Sequence, residues 1–220
     1  MGSYSIKDLE QLSGIKAHTL RIWEKRYNII EPARSETNIR YYSDEDLKKV
    51  LNISLLNNKV IKISKIANLS ASEIANRIQD LEKEPVPLNH EYFIEQLIIS
   101  MIDLDEHLFH HQLNEISHQI GFESAVVDIL YPFLQRIGIL WRTGNINPAQ
   151  EHFISYLIRQ KIIAATDQLP PLHNEDKQAF LFLLENEWHE LGLLFANYLC
   201  RKAGVKTFYS EAAGTVDYDD

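Results

Sequence analysis

The chain has 220 residues, 45% of them hydrophobic, with 31 acidic and 22 basic side chains giving a formal net charge of −9. That composition can pack one large or two modest domains. It excludes a membrane-spanning chain, since no run approaches the roughly 18 apolar residues required, and a disulfide-stapled one, since the single cysteine, Cys200, has no partner and cannot build a cysteine-based zinc site. The N-terminus carries no signal-peptide pattern, so the chain is expected to be cytoplasmic. The charge is uneven: residues 1–70 hold 12 Lys/Arg against 8 Asp/Glu, leaving 10 against 23 for the rest. A basic reader attached to an acidic module is the expected organisation.

Ser5 with Asp8 three residues later is a helix-capping pattern; Ile6, Leu9 and Leu12 follow on one face, and Ser13-Gly14 stops the helix. A second helix is expected from Lys16 to Tyr27, with Ile15, Leu20 and Trp23 available for burial and His18, Thr19, Arg21, Lys25 and Arg26 mostly outside. From Asn28 to Tyr42 the helical period is lost, and Pro32, Ser35, Thr37 and Asn38 favour a hairpin or wing. Ser43 with Asp46 caps a helix carrying Leu47, Val50, Leu51 and Leu55, and helices near Ile63 to Asn68 and Ser70 to Lys83 follow. Pro85 and Pro87 mark 84–89 as a linker after a DNA-binding domain over 4–83.

Four segments of helical period occupy 90–169: Glu91 to Ile102, Asp105 to Ile120, Glu123 to Arg142 and Pro148 to Leu169. They suit an antiparallel four-helix bundle, kinked at Pro132. After Pro170-Pro171, residues Ala179 to Leu184 read as a strand, His189 to Ala203 as a helix ended by Gly204, and Val205 to Tyr209 as a second strand. This is the start of a parallel, Rossmann-like α/β domain over 170–220, too short to be a whole one. The expected fold is mainly α: winged helix-turn-helix, four-helix bundle, then this partial α/β part.

A helix-turn-helix presents the N-terminal part of its second helix to the major groove. Lys16, His18, Thr19 and Arg21 occupy that part. Arg26, Arg34 and Arg40 are placed to bind phosphates, and Tyr27 and Tyr41 to donate to them. The alternative for the aromatics and leucines is plain core, which is the expected role of Trp23, Leu20 and Leu47. The stretch Tyr4-Ser5-Ile6-Lys7 through Thr19-Leu20-Arg21-Ile22-Trp23-Glu24, with Pro32-Ala33-Arg34 and Arg40-Tyr41-Tyr42-Ser43-Asp44-Glu45-Asp46-Leu47, resembles the MerR-type DNA-binding domain. Asn38 stands where that family commonly has glycine in the wing; asparagine tolerates positive φ better than most residues. The resemblance implies a transcription regulator bound to double-stranded operator DNA as a homo-oligomer, in competition with RNA polymerase at the promoter.

Trp141 is followed after nine residues by Glu151-His152, with Gly144 ending one helix and Asn147 and Pro148 opening the next. An aromatic plate, a carboxylate and an imidazole facing each other at a bundle end can close over a nucleoside-like group; by spacing alone a core Trp beside polar helix-start residues is the commoner arrangement. A second group, Glu187-Trp188-His189-Glu190-Leu191-Gly192, lies between strand and helix, at the edge where open α/β sheets bind ligands. The order of these motifs resembles the cobalamin-dependent photoreceptor regulators of the CarH and CarA type. That resemblance implies His189 as the lower axial ligand of cobalt, preceded by Glu187 and followed by Gly192, with Trp141, Glu151 and His152 flanking the upper face of adenosyl- or methylcobalamin. It also implies control by light. The later strands that hold the corrin tail have no counterpart after Tyr209, so cobalamin binding is expected of a complete form and weak or absent here.

His107, His110, His111 and His118 share one helical segment and are expected to form a solvated or interface face rather than a metal site. No nucleophile arrangement or phosphate loop is present, and the chain is not expected to be an enzyme. The alternatives are a ligand-independent DNA-binding protein whose C-terminal region only oligomerises, and a corrinoid carrier of a methyltransferase.

Overall fold

The first helix starts where its capping chemistry dictates. Ser5 accepts from the Asp8 amide at 3.3 Å while the Asp8 carboxylate accepts from the Ser5 amide at 2.7 Å, and α1, Ile6–Ser13, ends on Gly14 at φ 69°. The computed structural model describes residues 2–58, 61–83, 90–143, 147–171, 177–183 and 190–210, with 81–83 and 139–143 described in backbone only. The proposed linker 84–89 lies outside the described residues. The chain divides into two compact units, 1–151 and 152–220.

In the first unit α2, Ala17–Tyr27, packs on α1 and is followed by a two-strand wing. Its strands, β1 (Ala33–Arg34) and β2 (Arg40–Tyr41), pair antiparallel with Arg34 opposite Arg40, and Asn38 takes φ 63° at the tip. Tyr4 and Tyr42 exchange backbone hydrogen bonds of 2.9 and 2.8 Å, fixing the wing's base to the start of the chain. Helix α3, Asp44–Asn58, opens on a second capping box, Ser43 with Asp46, and a third, Ser70 with Glu73, opens α5 (Ala71–Lys83) after the single-turn α4 (Ile63–Ile66). Leu9, Leu12, Leu20, Trp23, Leu47 and Leu51 are buried between these elements.

Helix α6, His90–Asp103, is apolar nearly all round and is buried accordingly. It packs against α1 and α3 on one side and against α7 (Glu106–Ile120) and the third helical segment on the other. That segment is not one α-helix: α8 (Phe122–Ala125) passes through a π-helical turn, Val126–Leu130, into α9 (Tyr131–Thr143). The Tyr131 amide bonds the Val126 carbonyl five residues back, immediately before Pro132, whose ring nitrogen has no proton to give. The strain expected at the proline is taken up by widening the preceding turn. Helix α10, Pro148–Asp167, opens on Asn147, whose side chain accepts from the Ala149 amide at 3.0 Å; its first turn is tied to the end of α6 by Gln150 donating to the Ile102 carbonyl at 3.0 Å. The four helical periods of the sequence are thus helical, and the fold is mainly α.

The second unit holds the rest of α10, strand β3 (Gln178–Phe182), helix α11 (Glu190–Lys202) and strand β4 (Lys206–Ser210). The strands pair in parallel from Gln178 opposite Lys206 to Phe182 opposite Ser210, and α11 packs against them with Leu194, Phe195 and Tyr198 buried. The apolar run that reads as a strand alternates between exposed and half-buried residues. Phe180, Phe182 and Phe208 are exposed, and Phe180 stacks on Phe208 at 4.8 Å. Cys200 is half-buried rather than core.

At the centre of α6 lies Glu95, 0% exposed, with neither carboxylate oxygen hydrogen-bonded. Burial pushes its carboxyl well above the usual carboxylate range and Glu91 adds to the rise; Ser54 and Arg136 oppose it and are outweighed. A raised native value means that the folded chain holds a proton the unfolded chain has released. Stability is therefore fullest below the usual carboxylate range and falls as pH rises through the raised value. Glu95→Gln is expected to remove that fall, so its urea midpoint should gain on the parent's as pH rises. A constant offset at every pH would contradict the assignment.

Candidate nucleic-acid interface

The turn between α1 and α2 is set by a carboxylate. Lys16 gives α2 no side-chain cap; Glu10 reaches over from α1 to accept from the Ala17 amide at 3.2 Å and pairs with the Lys16 ammonium at 3.3 Å. These two partners, the amide first, hold the Glu10 carboxyl below its ordinary range. His18 and Arg21 stand exposed on the first turns of α2, Thr19 half-buried beside His18, and Arg26 and Tyr27 at its far end, Arg26 exposed and Tyr27 half-buried.

The wing brings its cations to the same helix. Arg40 is half-buried, its Nε 3.3 Å from Glu24 Oε1, and Arg34 on the facing strand donates at 2.6 Å to the Asn38 side chain. Arg21, Lys25, Arg34 and Arg40 together line one open cleft between α2 and the wing, with Glu24 and Glu31 among its walls. Tyr41 is 41% exposed on the wing. Leu20, Trp23 and Leu47 are core, at 0%, 5% and 0% exposure. Sequence reasoning missed Lys25 as a cleft residue and Glu24 as the group that positions Arg40, because that pair joins residues sixteen apart across the hairpin. It also missed a second basic groove, lined by Lys62, Lys65 and Arg77 with Ile61 and Leu69. The lysines three apart were the available signal.

The sensor residues are described in part. Trp141 lies in the backbone of α9 with its side chain outside the described residues, and Gly144, Glu187, Trp188 and His189 lie outside them altogether. Glu151 is half-buried in the first turn of α10 and His152 beside it is exposed. Gly192 is exposed in the first turn of α11, with nothing within 4 Å of where a Cβ would stand. Strand β3 ends at Phe182 and α11 begins at Glu190, and the carboxyl end of a parallel pair is the edge at which α/β sheets hold ligands. On α7, His107, His111 and His118 are exposed, as a solvated face requires; His107 stacks on His111 at 6.5 Å, and His110 pairs with Glu106 at 3.2 Å.

Residues 4–73 match the model of the MerR HTH family regulatory protein, and residues 93–165 that of the B12 binding domain. The chain joins a MerR-type DNA-binding domain to a B12-binding domain. It is similar to the HTH-type transcriptional repressor CarH of Myxococcus xanthus, 26% identical over 211 residues that cover 93% of this chain and 69% of the relative. The repressor CarA of the same organism is 28% identical over 200 residues, 90% of this chain and 65% of the relative. The chain thus spans about two thirds of the length of these two relatives. The HTH-type transcriptional regulator MlrA of Escherichia coli K12 matches over 73 residues at 29% identity, 33% of this chain and 30% of the relative. Together the matches support a DNA-binding transcription regulator. Among the described residues no helix is long and apolar enough to cross a membrane.

The MerR-type wing carries a test of its tip. Asn38 holds positive φ and orients Arg34, so Asn38→Gly should leave unfolding stability within a few tenths of a kcal/mol, whereas Asn38→Val, branched at that φ, should cost about 1–2 kcal/mol in urea unfolding. Equal stability of the two variants would contradict the strain argument.

Proposed function

We propose that the chain reads double-stranded operator DNA through α2 and the wing, as a homo-oligomer, and that cobalamin held by the C-terminal part controls the grip. The observation that carries the DNA reading is the cleft in which Arg21, Lys25, Arg34 and Arg40 converge beside an exposed helix start, with the domain's core packed behind. Lys16, His18, Thr19 and Arg21 present donors to base edges. Arg26, Arg34 and Arg40 bind phosphates, Tyr27 and Tyr41 donate to phosphate oxygens, and Lys62, Lys65 and Arg77 extend the contact along the backbone. Glu24 holds the Arg40 fork in place before DNA arrives, so less side-chain freedom is lost on binding. Occupying a promoter in this way competes with RNA polymerase.

For the sensor, His189 would ligate the cobalt with Glu187 orienting its imidazole, and Trp141, Glu151 and His152 would contribute to holding the cofactor. Bound cobalamin supplies a cobalt–carbon bond that light can break. Gly192 lets the backbone approach the group closely, and Glu151, half-buried, offers an acceptor to hydroxyls. This is a regulator's arrangement rather than an enzyme's, and the named relatives carry regulator names.

Gel-shift titration with a selected operator tests the reader. Arg21→Ala should cost about 1–3 kcal/mol and relax preference at one position, while Arg34→Ala should weaken all sequences alike and lower the slope of log affinity against log salt by about 1. Unchanged affinity in both would remove the DNA reading. Absorbance titration with adenosylcobalamin tests the sensor: a weak spectral change or none is expected of residues 1–220, and a change abolished by His189→Ala of a form that carries a whole cobalamin-binding domain. Operator binding without any such change would favour the ligand-independent alternative.

A further inference from the structure

The reader's outward face carries the basic cleft, and its back is bound into the helical region by a separate set of polar contacts. Arg136 on α9 forms a two-pronged ion pair with Glu91 on α6, at 2.6 and 3.0 Å, and the same guanidinium donates at 3.3 Å to the carbonyl of Leu12 in the last turn of α1. The Gly14 turn that ends α1 lies against this pair, with Glu91 Oε1 4.0 Å from where a Cβ would stand. At the other end of α6, Lys48 of α3 bonds Asp103 at 2.8 Å. Between the two ends Ser54 of α3 faces the buried Glu95, its hydroxyl 3.4 Å from the Ser13 carbonyl. With Lys48 bonded to Asp103 and Ser54 near Glu95, α3 and α6 run antiparallel to each other.

We propose that Arg136 is a positioning residue that latches the DNA reader onto α6 and α9, with Glu91 orienting its guanidinium and the Leu12 carbonyl as its catch. One planar group satisfies three acceptors on two elements, a task lysine cannot perform. Its side chain is 19% exposed, so the ion pair is shielded from salt more than a surface pair is. The catch is a carbonyl at the C-terminal end of α1, which otherwise lacks a helical partner and carries partial negative charge. When the latch is closed, α1 is tied to α6 and α9 and the orientation of α2 and the wing is set by the helical region; when open, the packing of α1 and α3 on α6 and the Lys48–Asp103 bond are what hold the reader there. Any rearrangement of α9 relative to α6 pulls first on Arg136. The DNA consequence rests on the reading proposed above, but the latch itself does not.

The experiment is hydrogen exchange by mass spectrometry on the full chain without DNA or cofactor. Arg136→Ala and Glu91→Gln should each raise exchange in the last turn of α1 and in α3 about tenfold or more, with α7 unchanged. Arg136→Lys should not restore protection. Should Arg136→Ala lose helical circular dichroism, Glu91→Gln, which leaves the guanidinium in place, decides. Unchanged exchange in α1 and α3 of the Glu91 variant would overturn the latch. Raised exchange in a chain that binds no operator would leave the latch standing and remove the DNA reading instead.

Discussion

Helix α6 is the constraint on which the first unit depends. Phe93, Ile94, Leu97, Ile98, Met101 and Ile102 leave it no face suited to water, so it must be enclosed, and a single layer of neighbours cannot enclose a helix. The chain meets this by covering one side of α6 with α7 and the α8–α9 segment and the other with α1 and α3 of the reader. The DNA-binding domain is therefore part of the coat of the helical region rather than a module hung beside it. Burial of α6 also marks the polar groups it carries: Ser100 donates to the Leu97 carbonyl at 2.8 Å, and burial pushes the Glu95 carboxyl well above the usual carboxylate range.

That coat divides the reader into two faces with different chemistry. The back, formed by α1 and α3, is apolar apart from a few charge-assisted contacts; the front, formed by α2 and the wing, is cationic and open. Carboxylates organise both. Glu10 fixes the helix-turn-helix turn, Glu24 fixes Arg40, and Glu91 fixes Arg136, each using an acid to hold a cation or an amide in one geometry. The net charge of the reader understates its suitability for DNA, because these acids are spent on positioning and are partly shielded.

The local punctuation was legible in the sequence. Ser5 with Asp8, Gly14, Ser43 with Asp46 and Asn147 each act at the place their spacing indicates, since a cap is a contact between residues two to four apart. Asn38 at positive φ belongs to the same class. What the sequence did not show depends on tertiary neighbours: the π turn before Pro132, which is a compromise between the proline and continued burial of Val126, Ile129 and Leu130; the Glu24–Arg40 pair; and the Lys62, Lys65 and Arg77 groove. The apolar run at Ala179 to Leu184 was legible as a strand, but not the alternation that leaves every other residue of β3 facing solvent. The residue types of the proposed reader site stand in the sequence, and the pairs that organise them do not.

The acidic balance of the rest of the chain bears on how such a reader discriminates. Residues 71–220 carry 23 acidic against 10 basic side chains, yet fields from exposed charges fade over a Debye length of about 8 Å at physiological salt, less than one helix diameter. On the reading proposed above, phosphates at Arg34 and Arg40 would respond chiefly to the cations within that distance. Non-specific affinity scales with the number of phosphates neutralised, so on that reading an acidic balance in the rest of the chain would lower it without weakening the contacts made in the cleft. A basic cleft on an acidic chain would then gain specificity from the repulsion around it, and the proposed latch, by fixing the cleft's orientation, would add to that gain by fixing which phosphates it meets.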